Sequence, residues 1–187
     1  MINFMKMGDV NPLPLLHAIK MQPDLWDRQT LRTKHPGSAH AQVSDIWLRF
    51  NDVAEYERTG DPASIANDRD CIECPAWRDL PQVRPIVFDL MRMVEGVQLG
   101  RVIITRMKPG SRITPHVDQG SPATFYSRYQ VALQSLPGAN FNIGDETMNF
   151  RSGEVWWIDN EVEHSVENNS ADDRIVMIVD IRTADQC

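Results

Sequence analysis

Two histidines and an aspartate carry the first chemical signal in this chain. The segment TPHVDQG places His116 and Asp118 two residues apart, and a second histidine, His164, follows in EVEHSVENNSADDR. In an extended strand, side chains at i and i+2 project from one face. An imidazole and a carboxylate can therefore point together, and a distant histidine completes three ligands on one side of a metal. Two imidazoles and one carboxylate, with the remaining positions open, form the donor set of non-haem Fe(II) oxygenases. His-x-Asp alone arises by chance in many chains. The case rests on the third ligand, on the strand pattern around it and on one arginine.

That arginine is Arg174, ten residues after His164. A hairpin turn centred near Asn169, within NNSADD, would put positions 164 and 174 opposite each other. Opposed residues of an antiparallel pair share a face, with Cβ atoms roughly 4.5–5.5 Å apart, so His164 and Arg174 are expected to line one cavity. A guanidinium grips a carboxylate through two parallel hydrogen bonds. A metal at one end of a dicarboxylate and an arginine at the other describe a 2-oxoglutarate site. The alternative is an Arg174 that starts its strand in solvent, paired with Asp172 or Asp173. The His-x-Asp motif favours the cosubstrate role.

The elements that must hold these residues show a change of period. From Leu99 the pattern alternates, with candidate strands at 99–107, 112–118, 128–136, 139–143, 146–150, 154–158, 163–167 and 174–182. Turn signals (KPGS, PGAN, GDE, RSG, DN, NNSADD) separate them. About eight short antiparallel strands imply a mainly β jelly roll or related barrel. Before Leu99 the chain reads differently. Helices are expected at 12–22, around 24–34, at DVAEYERTG and most clearly at 81–95, with a strand over Ser44–Phe50. The helices should pack outside the barrel. The chain reads as one domain, residues 1–187, with a helical and loop region over 1–98 and the barrel core over 99–182. The loop 34–42, with His35 and His40, and the polar stretch 61–77 are the irregular parts, and 61–77 is a candidate lid. Val155, Trp156 and Trp157 suit core packing.

Of the 187 residues, 42% are hydrophobic and 24% charged, and the formal net charge is −7. The acidity is spread over both halves, which disfavours nucleic acid and anionic membranes as partners. No apolar run approaches the ~20 residues of a spanning helix, and the start of the chain lacks the apolar stretch of a signal peptide. A cytoplasmic location is the expectation. Cys71 and Cys74 form a single Cys-x-x-Cys without nearby histidines or a second pair, so two reduced thiols are expected rather than a zinc or redox site.

The phrases GRVIITRMKPGSRITPHVDQG, ANFNIGDETMNFRSGEVWWIDNEVEHSVENNS and DRIVMIVDI, with a weaker echo at IWLRFND, resemble the aspartyl/asparaginyl β-hydroxylases of the Fe(II)/2-oxoglutarate oxygenase superfamily. The resemblance covers residues 99–182. It implies a double-stranded β-helix, Fe(II), 2-oxoglutarate and O2, and hydroxylation of an unactivated C–H bond, with a polypeptide or amino-acid substrate. His116 and His164 match the family's metal histidines, and Arg174 its cosubstrate arginine. Arg128 matches a second arginine near the cosubstrate. Gln130 stands where many members have histidine, and Thr105 where a serine can contact the cosubstrate. Both keep hydrogen-bonding capacity. Animal members lack the carboxylate ligand, whereas Asp118 here supplies it.

Two other readings compete. A cupin-type metalloenzyme independent of 2-oxoglutarate could share the barrel, but it would have no use for Arg174. A non-enzymatic module with a structural metal would need a closed site, with four ligands for zinc, and only three are evident. Within the oxygenase reading the substrate is the β-carbon of an aspartyl or asparaginyl residue in a polypeptide, or alternatively a free amino acid or other small molecule.

Overall fold

The computed structural model describes residues 2–61, 64 and 69–187. Among these, eleven strands form two antiparallel sheets. They are β1 (Phe4–Asp9), β2 (Val43–Phe50), β3 (Ile72–Glu73), β4 (Gly96–Met107), β5 (Arg112–His116), β6 (Ser127–Gln134), β7 (Ala139–Ile143), β8 (Glu146–Met148), β9 (Glu154–Ile158), β10 (His164–Asn168) and β11 (Arg174–Thr183). The larger sheet runs β1-β9-β6-β11-β4-β2-β3 and the smaller β5-β10-β7-β8. The two sheets enclose a shared core, as a double-stranded β-helix does.

The alternation seen in the sequence has a direct cause. In β11, Ile175, Met177, Val179 and Ile181 join one core on the outer face of the large sheet, whereas Arg174, Val176, Ile178 and Asp180 take the inner face. The outer core is covered by helices α1 (Leu13–Lys20) and α5 (Val83–Met93), which bury Leu15 and Ile19, and Val83, Val87 and Leu90. Between the helices lies the short α4 (Ala76–Asp79), anchored by Trp77. The helices therefore lie outside the barrel, as the sequence suggests. Met93, the last residue of α5, is 54% exposed. The short α2 (Leu31–Lys34) and α3 (Ala54–Thr59) lie on the irregular side. Asp52 accepts from the Ala54 N–H at 3.0 Å to start α3, and Gly60 ends it at φ +70°, a conformation glycine enters without a Cβ clash.

The inner core joins the sheets. Val43, Met107, Ala132 and Ile158 from the large sheet meet Ile113, Phe141, Ile143 and Val166 from the small one, with Phe150 between. Phe141 stacks on Phe150 at 5.1 Å and on the ring of His164 at 5.7 Å. Phe141→Ala should lower unfolding stability by about 3–5 kcal/mol, the usual range for a buried aromatic. Urea denaturation followed by circular dichroism would measure it.

Three departures from the sequence reading stand out. β1 was not expected, because FMKMGD has no alternation; it is recruited as an edge strand by β9, with Phe4 opposite Ile158. The 112–118 strand ends at His116, leaving Asp118 just beyond it. The hairpin placing His164 opposite Arg174 does not form. β10 belongs to the small sheet and β11 to the large one, so NNSADD carries the chain from sheet to sheet. Asn168 braces that crossing: it is wholly buried and donates through Nδ2 to the carbonyls of Met107 and Asp172 at 2.8 and 2.9 Å. His164 faces His116 and Ile143 instead, and Arg174 faces Met107. Among the described residues, no helix is long and apolar enough to cross a membrane.

Candidate active site

Pairing of β5 with β10 puts His116 directly opposite His164. Their ring centroids are 4.5 Å apart. Asp118 comes next in the chain, held by its N–H on the Asn160 carbonyl at 3.4 Å. The His116 Nε2 to Asp118 Oδ1 distance is 3.7 Å. One ligand atom from each of the three residues lies within 4.8 Å of the others, the spread a single ion could bridge.

Both imidazoles are set for metal binding. His116 Nδ1 lies 2.8 Å from the Thr114 carbonyl oxygen and His164 Nδ1 lies 2.9 Å from that of Val162. A carbonyl only accepts, so each Nδ1 carries the proton and each Nε2 keeps a free lone pair, an arrangement common in metal-ligating histidines. Burial pushes the His164 pKa below its ordinary value despite the nearby Asp118. Burial alone would raise Asp118, but Arg128 and the two imidazoles outweigh it and hold its carboxyl below the usual range. At neutral pH the set therefore offers a neutral His164 imidazole and the Asp118 carboxylate, with His116 Nε2 beside that carboxylate.

Arg128 does more here than its family position suggests. Its Nη1 donates to Asp118, while Nε and Nη2 grip Asp180 at 2.8 and 2.9 Å. Desolvation would lower its pKa, but the two carboxylates raise it. Arg128 is thus fastened to the large sheet and steers Asp118. Arg128→Gln should loosen that carboxylate and weaken iron binding by about 10–100-fold, the usual effect of removing a group that orients a metal ligand. Competition with a calibrated chelator would show it.

Arg174 and Gln130 form a separate pair. Arg174 is 3% exposed, and its guanidinium has one polar partner with oxygen, Gln130 Oε1 at 3.2 Å, besides the Met107 sulfur at 3.9 Å. No carboxylate accompanies it among the described residues, and Asp172 and Asp173 do not reach it. Burial pulls its pKa down to about 10, so it remains a cation at neutral pH. A buried guanidinium without an anion is costly. That cation, the open side of the His–Asp–His set and the donor types together fit Fe(II) with a carboxylate cosubstrate. Thr105 lies on the same inner face, opposite Val176 and so one same-face pair along from Arg174 and Met107. Its hydroxyl donates to Asp45 Oδ1 at 2.8 Å, and Arg32 Nη1 holds the same carboxylate at 2.7 Å.

A cavity of about 670 Å³ opens beside Asp118. Arg32, His35 and His40 wall it on one side, and Arg101, Ile103, Ile178 and Arg128 on the other. Arg174 is not in that wall. His40 stacks edge-on against His116 at 4.9 Å, and burial drives its pKa well down. The loop 34–42 thus reaches the site. None of the described residues of 61–77 walls the cavity, and 62–63 and 65–68 lie outside the described residues. The thiols of Cys71 and Cys74 are unbonded to each other and outside the metal-ligand group.

Sequence reasoning missed Asp180, Asp45, Arg32 and Arg101. A signal existed for Asp180, a carboxylate inside the apolar run IVMIVDI. Arg101 had none, since its partner Asn51 is 50 residues away, and Arg32 and Asp45, 13 apart, form no recognisable motif.

Known proteins resemble this chain in family and in fold. A model of the aspartyl/asparaginyl β-hydroxylase family matches residues 24–184. A comparison with curated protein sequences gave no match. The α-ketoglutarate-dependent epimerase SnoN of nogalamycin biosynthesis superposes with a TM-score of 0.57 at 12% identity, over 97% of this chain and 78% of that one. The collagen prolyl hydroxylase of Paramecium Bursaria Chlorella virus-1 gives 0.53 at 11% identity, over 98% and 97%. A 2OG-Fe(II) oxygenase family protein of Burkholderia pseudomallei gives 0.51 at 15% identity, over 75% and 67%. These likenesses concern the fold. Because the family match spans most of the chain, this protein belongs to the aspartyl/asparaginyl β-hydroxylase family.

Proposed function

We propose that the protein hydroxylates an unactivated C–H bond, at the β-carbon of an aspartyl or asparaginyl residue in a polypeptide, with His116, Asp118 and His164 as iron ligands. The observation that carries the site assignment is the convergence of the three donor atoms with both Nδ1 protons already committed to backbone carbonyls. Iron bound there supplies the activation of O2 by oxidation of 2-oxoglutarate to succinate and carbon dioxide. The rest of the work belongs to the chain. Arg174 takes the distal carboxylate of 2-oxoglutarate, and Gln130 orients its guanidinium. Arg128 keeps Asp118 aimed at the metal. Thr105, tied to Asp45 and Arg32, shapes the polar wall near the cosubstrate. The apolar surfaces of Ile103 and Ile178 exclude water from the reacting carbon.

A free amino acid or other small molecule is the alternative substrate, supported by a cavity of limited volume beside Asp118. The test is direct. Incubate the protein with Fe(II), 2-oxoglutarate and a panel of peptides and amino acids, and search by mass for a gain of one oxygen. Gain on an aspartyl or asparaginyl peptide is the expected result. Gain confined to free amino acids would transfer the reading to the alternative.

A further inference from the structure

The cavity beside Asp118 contains one cation, Arg101, that forms no ion pair among the described residues, although Asp180 and Asp118 lie near enough to favour its charge. Arg101 projects from the inner face of β4 into its wall. Its Nε and Nη2 both donate to a single neutral acceptor, Asn51 Oδ1, the Nε contact being 2.8 Å. Its guanidinium lies 4.6 Å from the centroid of the Phe50 ring. No carboxylate pairs with it among the described residues. The other arginines of the wall differ: Arg32 is held by Asp45, and Arg128 by Asp118 and Asp180.

The charges make the point sharper. Among the described residues of the site, Arg32 pairs with Asp45 and Arg128 with Asp118 and Asp180, while Arg101 and Arg174 have no carboxylate, so four cations stand against three anions and one positive charge is left. Fe(II) and the 2-oxoglutarate dianion cancel each other, so the surplus persists when both are bound. With Arg174 taken by the cosubstrate, the surplus sits at Arg101. One monoanionic group neutralises it, whereas a phosphate dianion would overshoot. The surfaces next to it are apolar: Ile103, Ile178, Phe50 and Leu31.

We propose that Arg101 anchors a carboxylate of the substrate to be oxidised, whose carbon skeleton then runs along Ile103 and Ile178 toward Asp118. This rests on the oxygenase reading of the site and narrows its substrate class to acids. The carboxylate can come from an aspartyl side chain in a peptide, in preference to asparaginyl, or from a free acid with an apolar body.

The test uses the 187-residue protein loaded with Mn(II) in place of Fe(II), plus 2-oxoglutarate, and isothermal titration. One arm compares acetylated, amidated aspartyl and asparaginyl peptides. The other compares hexanoate, 3-phenylpropionate and N-acetyl-leucine with their primary amides. In the wild type, an acid of at least one arm should bind about tenfold or more tightly than its neutral match, the scale of a charge-assisted pair. Arg101→Gln should abolish that preference, and Arg101→Lys should keep part of it, because an ammonium lacks the fork. Titration of 2-oxoglutarate into the same proteins reports separately on the Arg174 end. No acid preference in the wild type, or a preference that survives Arg101→Gln, overturns the proposal. A wild-type protein that binds no 2-oxoglutarate would instead overturn the oxygenase reading beneath it.

Discussion

His116→Ala and His164→Ala should each lose stoichiometric iron while keeping the β-sheet fold. The two imidazoles face each other across β5 and β10, and each presents Nε2 because Nδ1 is fixed on a carbonyl. Removing a group that merely orients a ligand costs about 10–100-fold in metal affinity, so removing the ligand itself should cost more than about 100-fold. The fold should survive because His164 is one side chain at the margin of an inner core built by Phe141, Ile143 and Phe150. Iron content after gel filtration, beside far-ultraviolet circular dichroism, separates loss of metal from loss of structure. Undiminished iron in both variants would move the site elsewhere, with Cys71 and Cys74 as the first place to look.

Arg174→Ala should weaken 2-oxoglutarate binding by about thirtyfold or more, corresponding to ~2–5 kcal/mol for truncating one partner of a buried, hydrogen-bonded charge pair. Metal binding should persist, since Arg174 touches none of the three ligands. Arg174→Lys should recover part of the affinity. A second effect has the opposite sign. Without cosubstrate, the buried guanidinium has Gln130 as its oxygen partner and no anion, so Arg174→Met, which keeps the stem, should raise the thermal stability of the ligand-free protein. Filling a buried charge site with an apolar side chain of similar volume is often neutral or stabilising by ~1–4 kcal/mol. The cosubstrate should then stabilise the wild type far more than the Met variant in a thermal-shift series. Equal 2-oxoglutarate affinity in wild type and Arg174→Ala would assign the distal carboxylate to another residue.

The parts of this fold visible in the sequence share one physical property: their signal is local. Strands β4, β6, β9 and β11 alternate because one face meets the helices and the other the small sheet, and β7 because one face meets the inner core; antiparallel strands carry that period in their residues. The stop at Gly60 is equally local. What stayed hidden depended on contacts between distant segments. NNSADD announces a turn, but a turn of that length suits a hairpin or a crossing between sheets equally well, and Asn168 decides for the crossing through Met107. The opposition of His116 and His164 is a consequence of β5 meeting β10, which neither segment encodes alone. His116, Asp118 and His164 could still be chosen together because their types and spacing make chemical sense. Arg128 could be placed near the site by resemblance, yet its grip on Asp180 required the pairing of β6 with β11, with Asp180 opposite Arg128. β1 shows the limit of pattern reading: an edge strand needs a neighbour, not an alternation.

Binding of 2-oxoglutarate under nitrogen, with and without Fe(II), tests the assembled site most directly, because it engages the metal end and the Arg174 end in one ligand. The expected result is one 2-oxoglutarate per chain in the presence of one Fe(II), with affinity falling sharply when iron is omitted or when either histidine is replaced by alanine. Equal binding with and without iron, or no binding by the iron-loaded wild type, would contradict a cosubstrate held between His116, Asp118 and His164 at one end and Arg174 at the other.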